Sequence, residues 1–251
     1  MVYFIGAGPG AFDLITVRGK NLLEQADVVI YAGSLVNPKL LDYTKPGCEI
    51  HNSASMTLEQ VIQVMEKGES QSKMTVRLHT GDPSIYGAIR EQMDILIEKG
   101  IEYSVVPGVS SFCGAAAALK TEYTLPTVSQ TVILTRMEGR TPVPEKEEIS
   151  KLASHQASMA LFLSAGMLEE LSRRLIKGGY NADTPAAIVY KATWPDERIV
   201  RTTIENLSQA AKENEISKTA LILVGGFLGN EYERSKLYDP TFTHEFREAE
   251  K

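Results

Sequence analysis

The sequence has few of the residues that build disulfide frameworks or metal sites. Its 251 residues include two cysteines, Cys48 and Cys113, which lie far apart and lack the spacing of a metal-binding pair. The four histidines are scattered, at positions 51, 79, 155 and 244. We therefore expect no disulfide framework and no protein-bound metal, and the cysteine usage fits a reducing compartment.

Long apolar runs and clusters of cations are also missing. No stretch reaches the ~18 apolar residues of a membrane-spanning helix, and the first residues lack the basic segment and cleavage site of a secretory signal. The formal net charge is −6, and no block of Lys or Arg resembles a nucleic-acid footprint. These features predict a cytoplasmic protein with no membrane partner and no nucleic-acid partner.

Apolar runs alternate with helical patterns in the first half of the chain. The runs cover residues 2–5, 26–31, 74–78 and 103–106, and the helical patterns cover residues 16–25, 58–67 and 85–99. Continuous apolar strands that alternate with helices favour a mainly parallel sheet covered on both faces.

The second half repeats the mixture after a connection at residues 121–128, which contains Pro126. Strand-like runs cover residues 131–135, 159–163, 186–190, 199–202 and 220–224, and helical patterns cover residues 167–177 and 204–213. The pattern predicts an α/β fold with two α/β domains, residues 1–120 and 121–229, whose sheets are mainly parallel or mixed. Residues 230–251 form a charged tail, predicted to be loose or a surface helix.

A glycine-rich turn, Gly-Ala-Gly-Pro-Gly at residues 6–10, follows the first strand. With Ala11 it satisfies a relaxed dinucleotide-binding fingerprint, but Pro9 removes one backbone donor. The second strand is followed by Ala32, Gly33 and Ser34, with no carboxylate for a ribose. The motif therefore leaves open a nicotinamide site, another ligand, or a tight turn that binds nothing.

The segment HTGDPSIYG, residues 79–87, follows the third strand. Asp82 as N-cap and Pro83 at the first helical position would make an ordinary helix start. The same loop also stands at the carboxyl end of a predicted parallel strand, where α/β proteins bind ligands. Two flanking glycines exceed what capping alone requires.

Three further segments combine small, charged or aromatic residues. PGVSS at residues 107–111 precedes a run of small residues, typical of close helix packing or of a ligand over a helix N-terminus. TRMEGRTPVPE at residues 135–145 is either a solvated connection or a cationic rim for carboxylates. VYKATWPDE at residues 189–197 holds the single tryptophan, a residue type that more often packs than binds a ligand.

In this order, the motifs resemble the tetrapyrrole methylase family, the class III methyltransferases, over residues 1–230. The segments TVILTRMEGRTPVPE and YKATWPDERIVRTT resemble the branch that methylates carbon 11 of precorrin-4, or of cobalt-precorrin-4, in cobalamin synthesis. The residues of these motifs favour the cobalt-containing substrate of the anaerobic route.

The resemblance implies S-adenosyl-L-methionine as methyl donor, two α/β domains with the cofactor in a cleft between them, and a homodimer. Cobalt would be carried by the substrate. The positions that match the family's cofactor contacts are Pro9, Thr80, Gly81, Asp82, Ile85, Ser110, Ser111, Leu163, Ala192 and Ala220. Other members often have glycine where Ala192 stands.

Residues for the substrate follow from its chemistry. A tetrapyrrole precursor carries many carboxylates, so Arg136, Arg140 and Lys191 are candidates for binding it. Glu138 and Tyr86 are candidates for handling the proton that leaves the ring. Other interpretations are a nicotinamide-dependent dehydrogenase, a relative that methylates a protein or ribosomal RNA, and a tetrapyrrole carrier without catalysis.

Overall fold

The computed structural model describes residues 1–249, which divide into two compact units. Unit 1 comprises residues 1–114 and 191–196, and unit 2 comprises residues 115–190 together with residues from 197 onward. Each unit is built on one five-stranded sheet. The limits predicted from the sequence, after residues 120 and 229, stay predictions.

Unit 1 is a parallel α/β unit. Its strands occur in the order β3-β2-β4-β1-β5, and every neighbouring pair is parallel. The elements are β1 (Val2–Gly6), α1 (Val17–Gln25), β2 (Val28–Tyr31), β3 (Glu49–Asn52), α2 (Leu58–Ser70), β4 (Thr75–His79), α3 (Arg90–Glu98), β5 (Tyr103–Val106) and the start of α4 (Ser111–Leu119).

Both faces of this sheet are buried. Phe4 packs on one face in a cluster with Met65 and Leu96, whereas the next residue, Ile5, packs on the other face with Leu23. Side chains alternate along a strand, so a strand buried on both faces is apolar at most of its positions. This confirms the prediction of a parallel sheet from continuous apolar runs.

Unit 2 contains a mixed sheet in the order β6-β7-β10-β8-β9. Only the β6–β7 pair is parallel. The elements are β6 (Val132–Arg136), α5 (Ile149–Ala153), β7 (Ser158–Phe162), α6 (Leu168–Lys177), β8 (Pro185–Tyr190), β9 (Arg198–Thr203), α7 (Leu207–Glu213) and β10 (Ala220–Val224). Its core joins the sheet to α6 and α7 through residues such as Met159, Leu171 and Leu207.

The structure corrects several sequence-based elements. Helix α3 begins at Arg90, so the prediction of a helix from residue 85 is wrong for its first turn. The edge strand β3 and the short helix α5 were not predicted. In the tail, one 3-10 turn covers Lys236–Tyr238, with no longer helix in residues 230–249; residues 250 and 251 of the predicted tail lie outside the described residues.

Candidate functional site

Three loops meet at the carboxyl edge of the unit 1 sheet. They follow β1, β4 and β5, the three neighbouring strands at one side of that sheet. Gly81 donates its N–H to the Gly8 carbonyl oxygen at 2.8 Å, and Gly8 donates back to Gly81 at 3.3 Å. Ligands of open α/β sheets bind at this edge, so the position of the cluster matches a binding site.

The glycines of this cluster allow the loops to cross. A Cβ atom at Gly6 would lie 2.5 Å from the Gly108 Cα, and a Cβ at Gly108 would lie 2.2 Å from the Gly81 carbonyl oxygen. Both distances are shorter than any real contact, so packing of the protein on itself already requires glycine. The glycines alone therefore do not indicate a ligand.

The loop at residues 80–87, called the GDP loop after Gly81, Asp82 and Pro83, is not an ordinary helix start. The Asp82 carboxylate accepts hydrogen bonds from the Ser84 N–H at 2.8 Å and from the Gly108 N–H at 2.9 Å, so it closes a local turn and joins two loops. Residues 83–86 form turns, and Tyr86 and Ala88 have φ values of +55° and +50°. The interpretation of Asp82 as N-cap of a helix that starts at Pro83 is wrong.

Hydrogen bonding keeps the Asp82 carboxylate charged. Burial raises its pKa, but the hydrogen bonds from the Ser84 hydroxyl, the Gly108 N–H and the Ser84 N–H outweigh that effect. The pKa of Asp82 therefore lies below its ordinary value.

Two neighbouring side chains carry buried polar atoms that have no hydrogen-bond partner among the described residues. They are the Thr80 hydroxyl and Nε2 of His79. Burial, with the positive charge of Arg77, lowers the pKa of His79 to about 3, so the ring is neutral at ordinary pH. An unpaired buried hydroxyl is costly, and Thr80 stands at the carboxyl end of β4, where a ligand would provide its partner.

The chain segment 191–196 packs on the first glycine loop. The Thr193 hydroxyl accepts a hydrogen bond from the Ala11 N–H at 2.9 Å, and the Trp194 ring N–H donates to the Pro9 carbonyl oxygen at 3.2 Å. Thr193 has φ of +69°, which is rare for a β-branched residue. The Trp194 ring therefore packs on the loop that follows β1.

The other predicted cofactor positions of unit 1 lie on the same segments. Pro9 and Ala192 are buried, and Ile85 is half-buried in the GDP loop. Ser110 is 5% exposed and its carbonyl accepts from the Gly114 N–H at 3.2 Å, while Ser111 is the first residue of α4. The loop crossing thus brings the three predicted segments of unit 1 together.

Two predicted cofactor positions belong to unit 2. Leu163 follows β7, is 68% exposed and has φ of +53°. Ala220 is the first residue of β10 and is half-buried beside Tyr190 of β8.

The predicted substrate arginines stand in different environments. The Arg136 guanidinium donates to the backbone carbonyls of Met137, Thr141 and Pro142, at 3.1, 3.2 and 2.7 Å, and so braces its own loop. Arg140 is exposed, and within residues 1–249 its side chain has no ion pair. Arg140 is therefore the better placed of the two to meet a carboxylate.

Glu138 and Lys191 both have charged partners. Arg174, which the sequence analysis missed, binds Glu138 at 2.7 Å and Glu170 at 2.6 Å. Lys191 binds Asp196 at 2.6 Å, and its ammonium lies 5.5 Å from the centre of the Trp194 ring. The contact between Arg174 and Glu138 could not be predicted from the sequence, because 36 residues separate the two.

Residues 1–249 contain neither a metal-binding cluster nor a membrane-spanning helix. No group of three or more His, Cys, Asp or Glu side chains is placed to hold a metal ion. No helix in this range is long and apolar enough to span a membrane.

The chain belongs to the family of tetrapyrrole (corrin/porphyrin) methylases, whose model matches residues 1–208. It is similar to the cobalt-precorrin-4 C(11)-methyltransferase of Methanocaldococcus jannaschii, with 56% identity over 251 residues, which are 100% of this chain and 97% of the relative. A precorrin-4 C(11)-methyltransferase of Sinorhizobium sp is 44% identical over 98% of each chain. The solved structure of the cobalt precorrin-4 methyltransferase CbiF superposes with a TM-score of 0.89 at 52% identity, over 91% of this chain and 96% of that one.

Proposed function

We propose that the protein transfers a methyl group from S-adenosyl-L-methionine to carbon 11 of cobalt-precorrin-4, giving cobalt-precorrin-5A in the anaerobic route to cobalamin. The observation that carries this proposal is the identity of 56% to a cobalt-precorrin-4 C(11)-methyltransferase along the whole chain. The solved CbiF structure, at 52%, supports the same substrate.

The metal-free precorrin-4 of the aerobic route is the second candidate. The relative named for that substrate shares 44% identity with this chain, whereas the two proteins named for the cobalt-containing substrate share 56% and 52%. Parallel reactions with the cobalt-containing and the metal-free precursor separate the two. A higher kcat/KM with the metal-free precursor would contradict the cobalt assignment.

The residues at the unit 1 loop crossing fit the methyl donor. The donor supplies an electrophilic methyl group on a sulfonium sulfur. The Thr80 hydroxyl, which has no partner among the described residues, offers a hydrogen bond. Beside it, the Gly81 backbone is fixed by its hydrogen bonds with Gly8, and the Asp82 carboxylate is fixed by the hydrogen bond that it accepts from the Gly108 N–H. We propose that these residues bind the donor, with the other predicted cofactor positions completing the contacts.

Alignment is the main contribution expected from the protein. Holding two reactants in a productive geometry can contribute ~7–11 kcal/mol, and shielding from water suits a step in which positive charge is lost. Arg140, with Arg136 and Lys191, would bind substrate carboxylates. Lys191 must exchange its contact with Asp196 to do so, and Arg136 must keep its loop braced.

Tyr86 and Glu138 remain the candidates for the ring proton. A proton on Glu138 would remove the charge that Arg174 faces at 2.7 Å, so this residue would be an acceptor at the cost of its ion pair. Tyr86 is 47% exposed on a left-handed turn of the GDP loop. We also propose that the enzyme is cytoplasmic and forms a homodimer, as the resemblance to the family implies for the dimer. The scattered cysteines and histidines favour a protein that holds no metal of its own.

Calorimetry with S-adenosylhomocysteine tests the donor site. Thr80→Val removes the hydroxyl and keeps the shape, and is expected to raise Kd about tenfold, equal to a loss of ~1.4 kcal/mol. Thr75→Val is the matched control, because its hydroxyl is also buried without a partner but lies at the start of β4. Equal Kd values for both variants and the wild type would contradict the role of Thr80.

A further inference from the structure

Leu163 stands in an unfavourable state for a leucine. Its side chain is 68% exposed and its backbone is left-handed, with φ of +53°. Left-handed backbone brings the Cβ of any residue but glycine close to the following carbonyl oxygen. Such a residue persists only where its surroundings fix it, and such positions concentrate at functional sites.

The neighbouring Ser164 supplies that fixation. It is 0% exposed, and its hydroxyl donates to the Phe162 carbonyl oxygen at 2.7 Å and accepts from the Met137 N–H at 2.9 Å. Its own carbonyl accepts from the Met167 N–H at 3.0 Å. Leu163 is therefore held between a hydrogen bond that reaches back to β7 and a turn that leads into α6.

The same hydroxyl connects two strand ends. The parallel pairing of β6 and β7 ends at Arg136 and Phe162. One residue further on, the Met137 N–H is bound by the Ser164 side chain in place of a strand carbonyl. One buried hydroxyl thus sets the path of Leu163 and the start of the loop that carries Arg140.

We propose that Ser164 is a positioning residue for the bound methyl donor, acting through Leu163. This inference rests on the proposed function, and it adds a residue that the motifs did not point to. Without the hydroxyl, the Met137 N–H loses its partner and the left-handed turn at Leu163 loses its tie to Phe162. The backbone of Leu163 would then relax from the left-handed conformation to one with negative φ, and the residue would move away from its proposed contact with the donor.

Ser172 provides a matched control for the substitution. It is also buried, at 7% exposure, and its hydroxyl also donates to a backbone carbonyl, that of Ile204 at 2.6 Å. It lies within α6 of unit 2 and outside both strand-end loops. Ser164→Ala and Ser172→Ala should therefore both lower Tm, and only the first should affect the ligand.

The test measures Kd for S-adenosylhomocysteine by calorimetry, and KM for S-adenosylmethionine, on the full-length variants. Ser164→Ala is expected to raise both about tenfold, whereas Ser172→Ala changes them less than about twofold. In a double-mutant cycle, Ser164→Ala should have almost no further effect on Kd in a Leu163→Ala background. If Ser164→Ala does not fold, Ser164→Cys, which keeps a weak donor and acceptor, is measured instead.

The outcomes separate this inference from the proposed function. A wild-type protein that does not bind S-adenosylhomocysteine contradicts the methyltransferase, and the inference fails with it. A wild-type protein that binds normally, with an unchanged Kd for Ser164→Ala or with additive effects in the cycle, overturns the role of Ser164 alone.

Discussion

The indole ring of Trp194 lies against Gly10 so closely that a Cβ atom at Gly10 would be 2.1 Å from the indole Cδ1. The ring N–H also donates to the Pro9 carbonyl oxygen at 3.2 Å. The glycine loop after β1 therefore has a shape that is set by a residue more than 180 positions later in the chain. Ala192, a predicted cofactor position, lies on the same segment as Trp194. The contact between the ring and the loop therefore fixes two predicted cofactor positions, Pro9 and Ala192, relative to each other.

Gly10→Ala should weaken donor binding by displacing Trp194. We expect Kd for S-adenosylhomocysteine to rise about tenfold or more, because an overpacked core contact costs ~1–3 kcal/mol. Gly166→Ala is the control, since a Cβ there meets its nearest atom at 3.7 Å. Combining Gly10→Ala with Trp194→Ala should cost less than the sum of the two, because the smaller side chain leaves room; simple additivity would show that the contact does not matter.

Asp82→Ala should loosen the GDP loop. The partly buried Gly108 N–H and the exposed Ser84 N–H would lose their acceptor. The cost should lie toward the lower end of the ~1–3 kcal/mol of a fully buried unsatisfied donor. Kd for S-adenosylhomocysteine is therefore expected to rise and Tm to fall. Asp82→Asn keeps an acceptor oxygen and should lie between Asp82→Ala and the wild type; if all three proteins bind alike, the loop does not need this carboxylate.

His79 should make stability depend on pH. Its pKa in the folded protein is about 3, because burial, and then the charge of Arg77, disfavour the protonated ring. The unfolded chain takes up this proton below about 6.5, whereas the folded chain does not until pH 3, so the unfolded state binds more protons in that window. The contribution is complete above about pH 6.5 and is lost as pH falls, by up to ~1.4 kcal/mol per pH unit.

Urea unfolding at several pH values measures this slope. His79→Leu should have a flatter dependence than the wild type by up to one proton between about pH 6 and about pH 4. His51→Leu is the comparison, since His51 is only partly buried on the edge strand β3. Parallel curves for His79→Leu and the wild type would contradict the assignment.

The two arginines after β6 should behave differently. Arg140→Ala is expected to raise KM for the tetrapyrrole with little change in Tm, because its exposed side chain braces nothing within the described residues. Arg136→Ala should lower Tm as well as raise KM, since three backbone carbonyls of its loop lose their donor. If neither variant alters KM or kcat, the cationic rim is wrong.

The strands of unit 1 were predictable because burial on both faces leaves a continuous apolar run, as at Val28–Tyr31. Strand β3 was not predictable, because it lies at the edge of the sheet and three of its four residues, Glu49, His51 and Asn52, are polar. The start of α3 was misplaced because Asp82-Pro83 has the composition of a helix N-terminus, while the contact of Asp82 to Gly108 redirects the chain.

The site was predictable to the extent that it depends on motifs. The sequence pointed to the loops after β1, β4 and β5 because ligand loops follow parallel strands. It could not show that Gly6 and Gly108 cross, that Arg174 binds Glu138, or that Ser164 holds Leu163, because these contacts join distant or cryptic positions. The local sequence predicts a loop, whereas the contacts of that loop are defined only once the chain has folded.

The most direct test is to incubate the purified protein with S-adenosylmethionine and enzymatically prepared cobalt-precorrin-4, and to weigh the tetrapyrrole by mass spectrometry. We expect a gain of one methyl group, with the new methyl at carbon 11 by NMR. No gain in mass with either the cobalt-containing or the metal-free precursor, together with no binding of S-adenosylhomocysteine by calorimetry, would contradict it.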